Sequence, residues 1–554
     1  MSLRTVVALV LTLLTSSCAD AMDVRLQTIA ATGVYYPEVD ATLSRFRMMD
    51  IGGPGQMMFH AELQTELDVE QAIFRWDDDA LATIVRTGDA VPEGDGKFRQ
   101  FLRPMQNALG DIAFSAQLTD TPADSGIYLQ KAQALHEVVR EGEMVSGVTG
   151  PAEYYGSWPQ LSDAGIIALR SNSISNRIYR GDENGLTIAA PRGLTTPTGG
   201  RFNGFFSASN PLINSQGEVA FWTGVDDPGA TGVYRTAGSG YVAIATRDNP
   251  TSDGRVVQFA HPNAMLPDGR VVVAANYISD PGVSILIGDG VSTTVVAETG
   301  DLIPQHGVKL DLGADSGGLL GYITANRSGD VAFAGLLAEG YGDVTSENDL
   351  AVIRVVGGEI ELLVQEGDAF DNGAMVFRRA TSPPAMNDRG SVIFVGELRA
   401  GASYVDGLFA SVNGAPVELL VATGDSIEVT PGVHKTITEL SVFNEVRLNG
   451  GDAGWRNTLN EADESYFWAE FADESQALFL VSLDSGVSGD FSGDGVVDGL
   501  DFLIWQRDPS IGSLSDWEAN YGASATTAAA NTVPEPRGMA LALVAIFVAV
   551  HRRR

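Results

Sequence analysis

Asn107-Ala108-Leu109-Gly110-Asp111-Ile112-Ala113-Phe114 is a phrase the chain repeats: Asn214-Ser215-Gln216-Gly217-Glu218-Val219-Ala220-Phe221, Asn326-Arg327-Ser328-Gly329-Asp330-Val331-Ala332-Phe333, and Asn387-Asp388-Arg389-Gly390-Ser391-Val392-Ile393-Phe394. Looser copies start at Gly52, Ser162, Leu266 and Asn460, so eight copies lie 52 to 73 residues apart. The spelling has a mechanical cause. Asn hydrogen-bonds backbone two residues on, and Gly takes the positive φ that closes a short hairpin. A strand follows, with Ile112, Phe114, Ala116 and Leu118 at alternate positions, which predicts one face on a core and Ser115 and Gln117 on the other.

A second phrase precedes most copies: Thr32-Gly33, Thr87-Gly88-Asp89, Glu141-Gly142-Glu143, Thr299-Gly300-Asp301, Glu366-Gly367-Asp368, Thr423-Gly424-Asp425. Downstream of several copies a strand starts on Gly, as in Gly126-Ile127-Tyr128-Leu129. Each unit therefore offers about four strands without helical periodicity, the pattern of an all-β β-propeller, read as eight four-stranded blades over residues 25–483. Seven blades, a solenoid or a chain of β-sandwiches would carry a similar repeat. The array opens with a strand before Thr32-Gly33 and ends with the apolar run to Leu483, which reads as in phase, with no sign of ring closure by an exchanged terminal strand. The phrase resembles the Asn-x-x-Gly-x-x-Ala-Phe tandem repeat of bacterial exported proteins, a resemblance that implies no reaction.

Residues 489–525 carry a different signal. In Asp490-Phe491-Ser492-Gly493-Asp494-Gly495-Val496-Val497-Asp498-Gly499-Leu500-Asp501, oxygen donors fall at positions one, three, five, nine and twelve, with Gly495 at six for the sharp turn. That is calcium-loop spacing, with Asp490, Ser492, Asp494, the Val496 carbonyl, Asp498 and Asp501 as ligands. Asp501 is shorter than the usual Glu. Leu500, Phe502, Leu503 and Trp505 suggest a short amphipathic helix on which Leu514, Trp517 and Tyr521 pack. The segment resembles half of a dockerin, which implies a cohesin-like partner. A complete dockerin has a second loop that residues 508 to 525 lack, and a calcium-stapled spacer is the other reading.

The ends read as address labels. Residues 1–21 combine Arg4, an apolar run and small residues up to Ala19-Asp20-Ala21, a secretory signal with cleavage after Ala21; lipid attachment at Cys18 is the alternative. After a linker at 526–533, residues 534–554 run Pro534-Glu535-Pro536, an apolar stretch from Met539 to Val550, then three terminal arginines. About 12 apolar residues rise only ~18 Å as a helix against a ~30 Å hydrocarbon core. The order resembles a PEP-CTERM sorting signal, implying an exosortase-type partner and passage through the membrane by this C-terminal hydrophobic helix; a plain anchor helix is the alternative.

Removing the labels removes Cys18, the only cysteine, and with it any disulfide or thiolate chemistry. A net charge of −36 disfavours nucleic acid and suits cations or neutral glycans. His60, His136, His261, His306 and His434 fall in different units with no ligand spacing, and no nucleophile elbow or phosphate loop stands out. The expectation is an exported, cell-envelope or extracellular binding or structural protein with no assigned catalytic residue and a calcium-dependent module. The alternative is a carbohydrate-active enzyme, with its carboxylates hidden among 71 acidic residues.

Overall fold

The computed structural model describes residues 23–65, 70–77, 80–145, 159–170, 177–205, 210–226, 231–247, 250–278, 280, 282–313, 323–412, 414–442, 458–484, 489, 491, 497–507, 509 and 513–522. Residues Val24–Leu483 form one compact unit; Met1–Asp23 together with Asp484–Arg554 form the other.

The larger unit is an eight-bladed β-propeller. Each sheet holds four main antiparallel strands, in chain order in all but the last blade, as in Lys97–Gln106, Ile112–Thr119, Ser125–Lys131 and Ala134–Arg140, and several sheets add short extra strands. The repeated Asn-x-x-Gly phrase is the turn between the first and second strands. Its Gly takes the expected left-handed conformation, φ +83° at Gly110, and in the eighth copy Asp463 takes φ +55° in place of Gly.

Two expectations need correction. First, the ring does close by exchange. The strand Asp23–Ala31 pairs with Gln476–Asp484 as the fourth strand of blade 8, which otherwise holds Val433–Ser441, Glu464–Phe471 and Gln476–Asp484. Across this seam the Thr32 amide donates to the Gln476 carbonyl at 2.8 Å. The phase of the repeat held this information: the Thr-Gly turns follow fourth strands, as Thr87-Gly88 follows Ala80–Arg86, so a strand before Thr32-Gly33 is a fourth strand without its blade.

Second, the second strand has no solvent face. Ile112, Phe114 and Ala116 pack with Met58 and Ile73 of the preceding blade, while Ala113 packs with Ile167 and Leu169 of the following one. Ser115 is itself fully buried. The alternation therefore separates two interblade cores, large residues facing one neighbour and small residues the other. The same division places Phe333 against blade 5 and Ala332 against blade 7. Aromatic rings from the first three strands stack within blades, Phe98, Phe114 and Tyr128 in blade 2 and Phe377, Phe394 and Phe409 in blade 7. Gly396, on the second strand of blade 7, makes room for this packing, since a Cβ there would lie 2.7 Å from the Phe377 ring and 3.1 Å from the Arg379 carbonyl oxygen.

In the smaller unit, α1 (Gly499–Arg507) and α2 (Leu514–Asn520) meet through Phe502 and Trp517, ring centroids 5.0 Å apart. Leu500 and Leu503 are half exposed, so the amphipathic reading of α1 holds for Phe502 rather than for the whole apolar stripe.

Candidate functional site

The propeller offers two places where side chains from many blades converge, at the two ends of the first strands. At the turn end, each Asn works in two directions. The Oδ1 of Asn387 accepts from the amides of Arg389 and Ser391 (both 3.1 Å), and its Nδ2 donates to the Asn460 carbonyl of the next blade at 3.0 Å. Asn107 repeats this toward Ser162 and Asn460 toward Gly53, so the turns are linked blade to blade, and in blade 3 Ser162 caps its own turn through Oγ. Third-strand cations add to the linkage: Lys131 donates to the Ala164 carbonyl, Arg180 to Gly217 and Arg354 to Gly390.

The residue after the Asn position adds a second chain of bonds. Asp163 accepts from the Ala108 amide (3.0 Å), Asp388 from the Arg327 amide (2.7 Å) and Glu461 from the Asp388 amide (2.9 Å). The Arg327 guanidinium of blade 6 lies 3.5 Å from Asp163 of blade 3 and 3.6 Å from Asp388 of blade 7. Blades 3 and 7 are opposite members of an eight-membered ring. A guanidinium in reach of both puts these turns beside the axis and identifies the first strand as the inner one. Burial, then the Asp388 charge, pushes the Glu461 carboxyl up to about 7, and burial also raises Asp388. Asp388 keeps 30% of its side-chain surface, so solvent screens its charge.

At the other end of the inner strands, six blades share a β-bulge at one level. The residue paired across it is always ten positions after the start of the turn phrase: Arg45 opposite Glu62, Gln100 opposite Gln117, Gly204 opposite Gly224, Phe259 opposite Asn276, Arg379 opposite Glu397 and Glu439 opposite Glu470. The extra residues are Ser44, Arg99, Asn203, Gln258, Arg378 and Thr438, all polar. All but the partly buried Arg378 are exposed. The apolar residue before each bulge, Leu43, Phe98, Phe202, Val257, Phe377 or Ile437, is no more than 1% exposed.

The second sequence phrase lies against the bulge in several blades. The amide of its Gly donates to the carbonyl of the residue before the bulge, Gly88 to Phe98 (2.8 Å), Gly367 to Phe377 (2.9 Å) and Gly424 to Ile437 (2.9 Å). The amides of Phe98, Phe377 and Ile437 donate back to Asp89, Asp368 and Asp425 carbonyls. In these blades the inner strand is thus held at one end by this clamp and at the other by the turn, with the extra residue between them; Gly300 clamps Leu310 in the same way in blade 6, where the pairing of Leu310 and Asp311 has no bulge. Bulges of this kind re-aim side chains. The result is a row of mostly exposed polar side chains at one level of the innermost strands in six blades.

Sequence reading missed this ring. Its signal was present as two apolar residues enclosing two variable ones, Leu43-Ser44-Arg45-Phe46, Phe98-Arg99-Gln100-Phe101 and Ile437-Thr438-Glu439-Leu440, each following the Thr-Gly phrase.

Of the residues expected to bind calcium, Asp490, Ser492, Asp494 and Val496 lie outside the described residues, as do Ala19, Ala21, Pro534, Glu535 and Pro536. Asp498 and Asp501 are described. The fully buried Asp501 carboxylate accepts from the Asp498 amide at 2.7 Å, Asp498 Oδ1 accepts from the Leu500 amide at 2.7 Å, and the Trp517 indole donates to the Asp498 carbonyl at 2.7 Å. The last two loop carboxylates therefore sit at the start of α1, where α2 closes over them. Among the described residues no three His, Cys, Asp or Glu side chains gather as a metal site, and no helix is long and apolar enough to cross a membrane. His60 is enclosed between blades 1 and 2, its Nε2 3.3 Å from Gln71 Oε1, and burial pushes it down to about 4.

A family model described as a family of unknown function, DUF7453, matches residues 19–153, 119–310 and 285–484, in overlapping stretches that span all eight blades. The chain belongs to this family. No curated protein matches the chain. Among solved structures it is similar to a puromycin-hydrolysing peptidase of Mycobacterium tuberculosis at 13% identity and TM-score 0.36, covering 80% of this chain and 61% of that one. An oligogalacturonate lyase in complex with manganese is similar at 11% identity and TM-score 0.33, covering 68% of this chain and 86% of that one. The polysaccharide lyase Uly1 is similar at 10% identity and TM-score 0.31, covering 81% and 91% respectively. The chain thus spans less than two thirds of the peptidase.

Proposed function

We propose that this DUF7453 member is an exported, surface-sorted binding protein whose propeller presents the bulge ring to a ligand and whose C-terminal module is stapled by calcium. One observation carries the reading: the same fold position in six blades expels polar side chains of different identity, Ser44, Arg99, Asn203, Gln258, Arg378 and Thr438. A surface kept in place while its chemistry varies from blade to blade suits recognition. Calcium would be held by Asp490, Ser492, Asp494, the Val496 carbonyl, Asp498 and Asp501, and the burial of Asp501 at the start of α1 fits that role. Export through the leader at 1–21 and sorting by an exosortase-type enzyme at Pro534-Glu535-Pro536 belong to the same proposal, as does docking of the module on a cohesin-like partner.

Screening the mature chain on a glycan array and, in parallel, against polysaccharides for turnover tests it. Binding without turnover is expected; turnover of any polysaccharide overturns the non-catalytic reading. That second reading, a carbohydrate-active enzyme, is favoured by one feature: Glu461, raised to about 7, beside Asp388, which resembles a general acid kept protonated near neutrality. Both carboxylates already accept backbone amides of neighbouring turns, which ties them to the ring. If turnover is found, Glu461→Gln should abolish it.

A further inference from the structure

The bulge ring has an uneven charge. The inner strands hold nine Lys and Arg, two in Ala41–Ile51, three in Lys97–Gln106, one in Val308–Asp311, two in Met375–Ala380 and one in Val433–Ser441, against three acids, Asp50, Asp311 and Glu439. The chain as a whole has the opposite ratio, 35 to 71. All but Lys309 of the nine fall in blades 7, 8, 1 and 2, which are consecutive only because the ring closes between blades 8 and 1. In sequence Arg379 and Arg45 are more than 300 residues apart.

At the bulge level the cations differ in what they already hold. Arg378 and Arg379 share Glu397, the latter at 3.4 Å, and Arg47 pairs with Glu62. Lys97 faces Asp120 and Lys435 holds Asp473. Arg45 and Arg99 are exposed, lie in the bulges of adjacent blades, and have neither an ion pair nor a side-chain hydrogen bond among the described residues. The acids at this level are Glu62 and Glu397, both engaged as above, Glu470, which accepts from Gln476 Nε2 at 3.0 Å, and Glu439, exposed in blade 8. Among the described residues, Arg45 and Arg99 are thus the guanidiniums at this level without such a partner, on a chain with 71 acidic residues against 35 Lys and Arg.

The other bulge residues are neutral and polar: Ser44, Gln258, and Asn203 and Thr438, which donate to the Val225 and Glu470 carbonyls and keep their remaining capacity for hydroxyls. Next to Gln258, Phe259 is 38% exposed and braced edge-on by Trp222, ring centroids 4.8 Å apart. Hydroxyl-bonding side chains, one open aromatic and two exposed guanidiniums without an ion pair among the described residues together fit a sugar chain that carries anions. Guanidinium suits this task because its planar fork pairs with carboxylate or sulfate through two bonds.

We infer that the ring binds an anionic polysaccharide, with Arg45 and Arg99 taking its charged groups and the neutral bulges its hydroxyls. The inference rests on the binding reading above and adds the ligand's charge. The net charge of −36 opposes it at long range, which gives the interaction a particular salt dependence. At ~0.01 M salt the Debye length of roughly 30 Å lets the whole acidic surface repel the ligand, at ~0.15 M it falls to about 8 Å and the local guanidiniums dominate, and at ~1 M these too are screened. Affinity should pass through a maximum near physiological salt.

Titration calorimetry of the full mature chain with sodium alginate, dextran sulfate and dextran tests this, the first two arms separating carboxylate from sulfate. Alginate or dextran sulfate should bind and dextran should not. Arg45→Gln and Arg99→Gln should each weaken binding about tenfold and the double variant more than fiftyfold. Arg192→Gln, an exposed arginine in the connector before blade 4, should leave it unchanged. Melting midpoints of all three variants should match the parent, because both ring arginines are exposed. Equal binding of dextran and alginate, an unaffected double variant, or affinity that only falls with added salt overturns this inference while leaving a binding protein. Silence toward all three polysaccharides and across the glycan array sinks both.

Discussion

The two ends of the inner strands are built from one repeat and serve opposite purposes. At the turn end Asn107, Asn387 and Asn460 use both ends of their amides, one on their own turn and one on the next blade, so the residue type there is dictated by the ring. At the bulge end only the backbone is dictated. The clamp between the Thr-Gly phrase and the residue before the bulge uses main-chain atoms, so it does not itself dictate the expelled side chains, although Asn203, Thr438 and Arg378 bond Val225, Glu470 and Glu397. A propeller can therefore vary the residues at this end with little effect on its seams.

The largest expected effect comes from opening the ring on which the turn end depends. Deleting residues 22–31 removes the nine-residue fourth strand of blade 8, and at ~1 kcal/mol per ladder hydrogen bond the loss is on the order of 5–10 kcal/mol. Calorimetry should show a collapsed or split transition. An unchanged melting profile would mean that the closure contributes nothing.

Next is a single turn. Asn387→Ala strands the Arg389 and Ser391 amides and the Asn460 carbonyl in a buried place, and should cost about 3 kcal/mol by chemical denaturation. By contrast Ser44→Ala or Thr438→Ala at the bulge end should change stability by less than about 0.5 kcal/mol. Comparable losses at the two ends would erase the distinction between them.

Acid sharpens the comparison further. His60, lowered to about 4 in the folded protein from 6.5, contributes stability that is complete above its unfolded value and is lost as pH falls below 6.5, by about 2 kcal/mol between pH 7 and 5. Glu461 at the turn end acts with the opposite sign. Its folded value, raised to about 7, makes protonation favour the folded state, so stability rises as pH falls from 7 toward the ordinary glutamate range. Thermal midpoints at pH 5 and 7 should differ little in the parent, fall on acidification in Glu461→Gln, and rise in His60→Gln. Parallel slopes in both variants would mean that Glu461 does not take up a proton in this range.

Calcium should act on neither end. If it fills the loop from Asp490 to Asp501 at tenfold excess over its dissociation constant, it adds roughly 1.4 kcal/mol, confined to the C-terminal module. A calorimetric scan of the full chain with calcium and with EDTA should shift a small transition and leave the propeller's in place. Asp490→Ala should abolish the shift, and a propeller transition that moves with the metal would mean that the two units unfold as one.

Legibility in the sequence followed the range of the interaction. The turns could be read because Asn and Gly act within four residues: Asn107 Oδ1 bonds the amides of Leu109 and Asp111, and Gly110 supplies the positive φ. The bulges could not, because the clamp joins Gly88 to Phe98 and Gly424 to Ile437, spacings of different length that hide a common geometry. Alternation in Ile112-Ala113-Phe114 was visible, yet its meaning was misjudged, since a core on each side of the strand requires a blade on each side.

The sequence by itself determined the number of repeats, the chemistry of their turns and the strand period, all products of hydrogen bonds and side-chain direction over a few residues. The phase of the Thr-Gly phrase already marked the first strand as a fourth strand, but only the tertiary structure decided that it pairs with Gln476–Asp484, that Arg327 reaches Asp163 across the axis, and that Arg45 and Arg99 stand exposed on the inner strands of adjacent blades. Closing a ring brings together residues hundreds of positions apart, and no local propensity encodes which of them will meet.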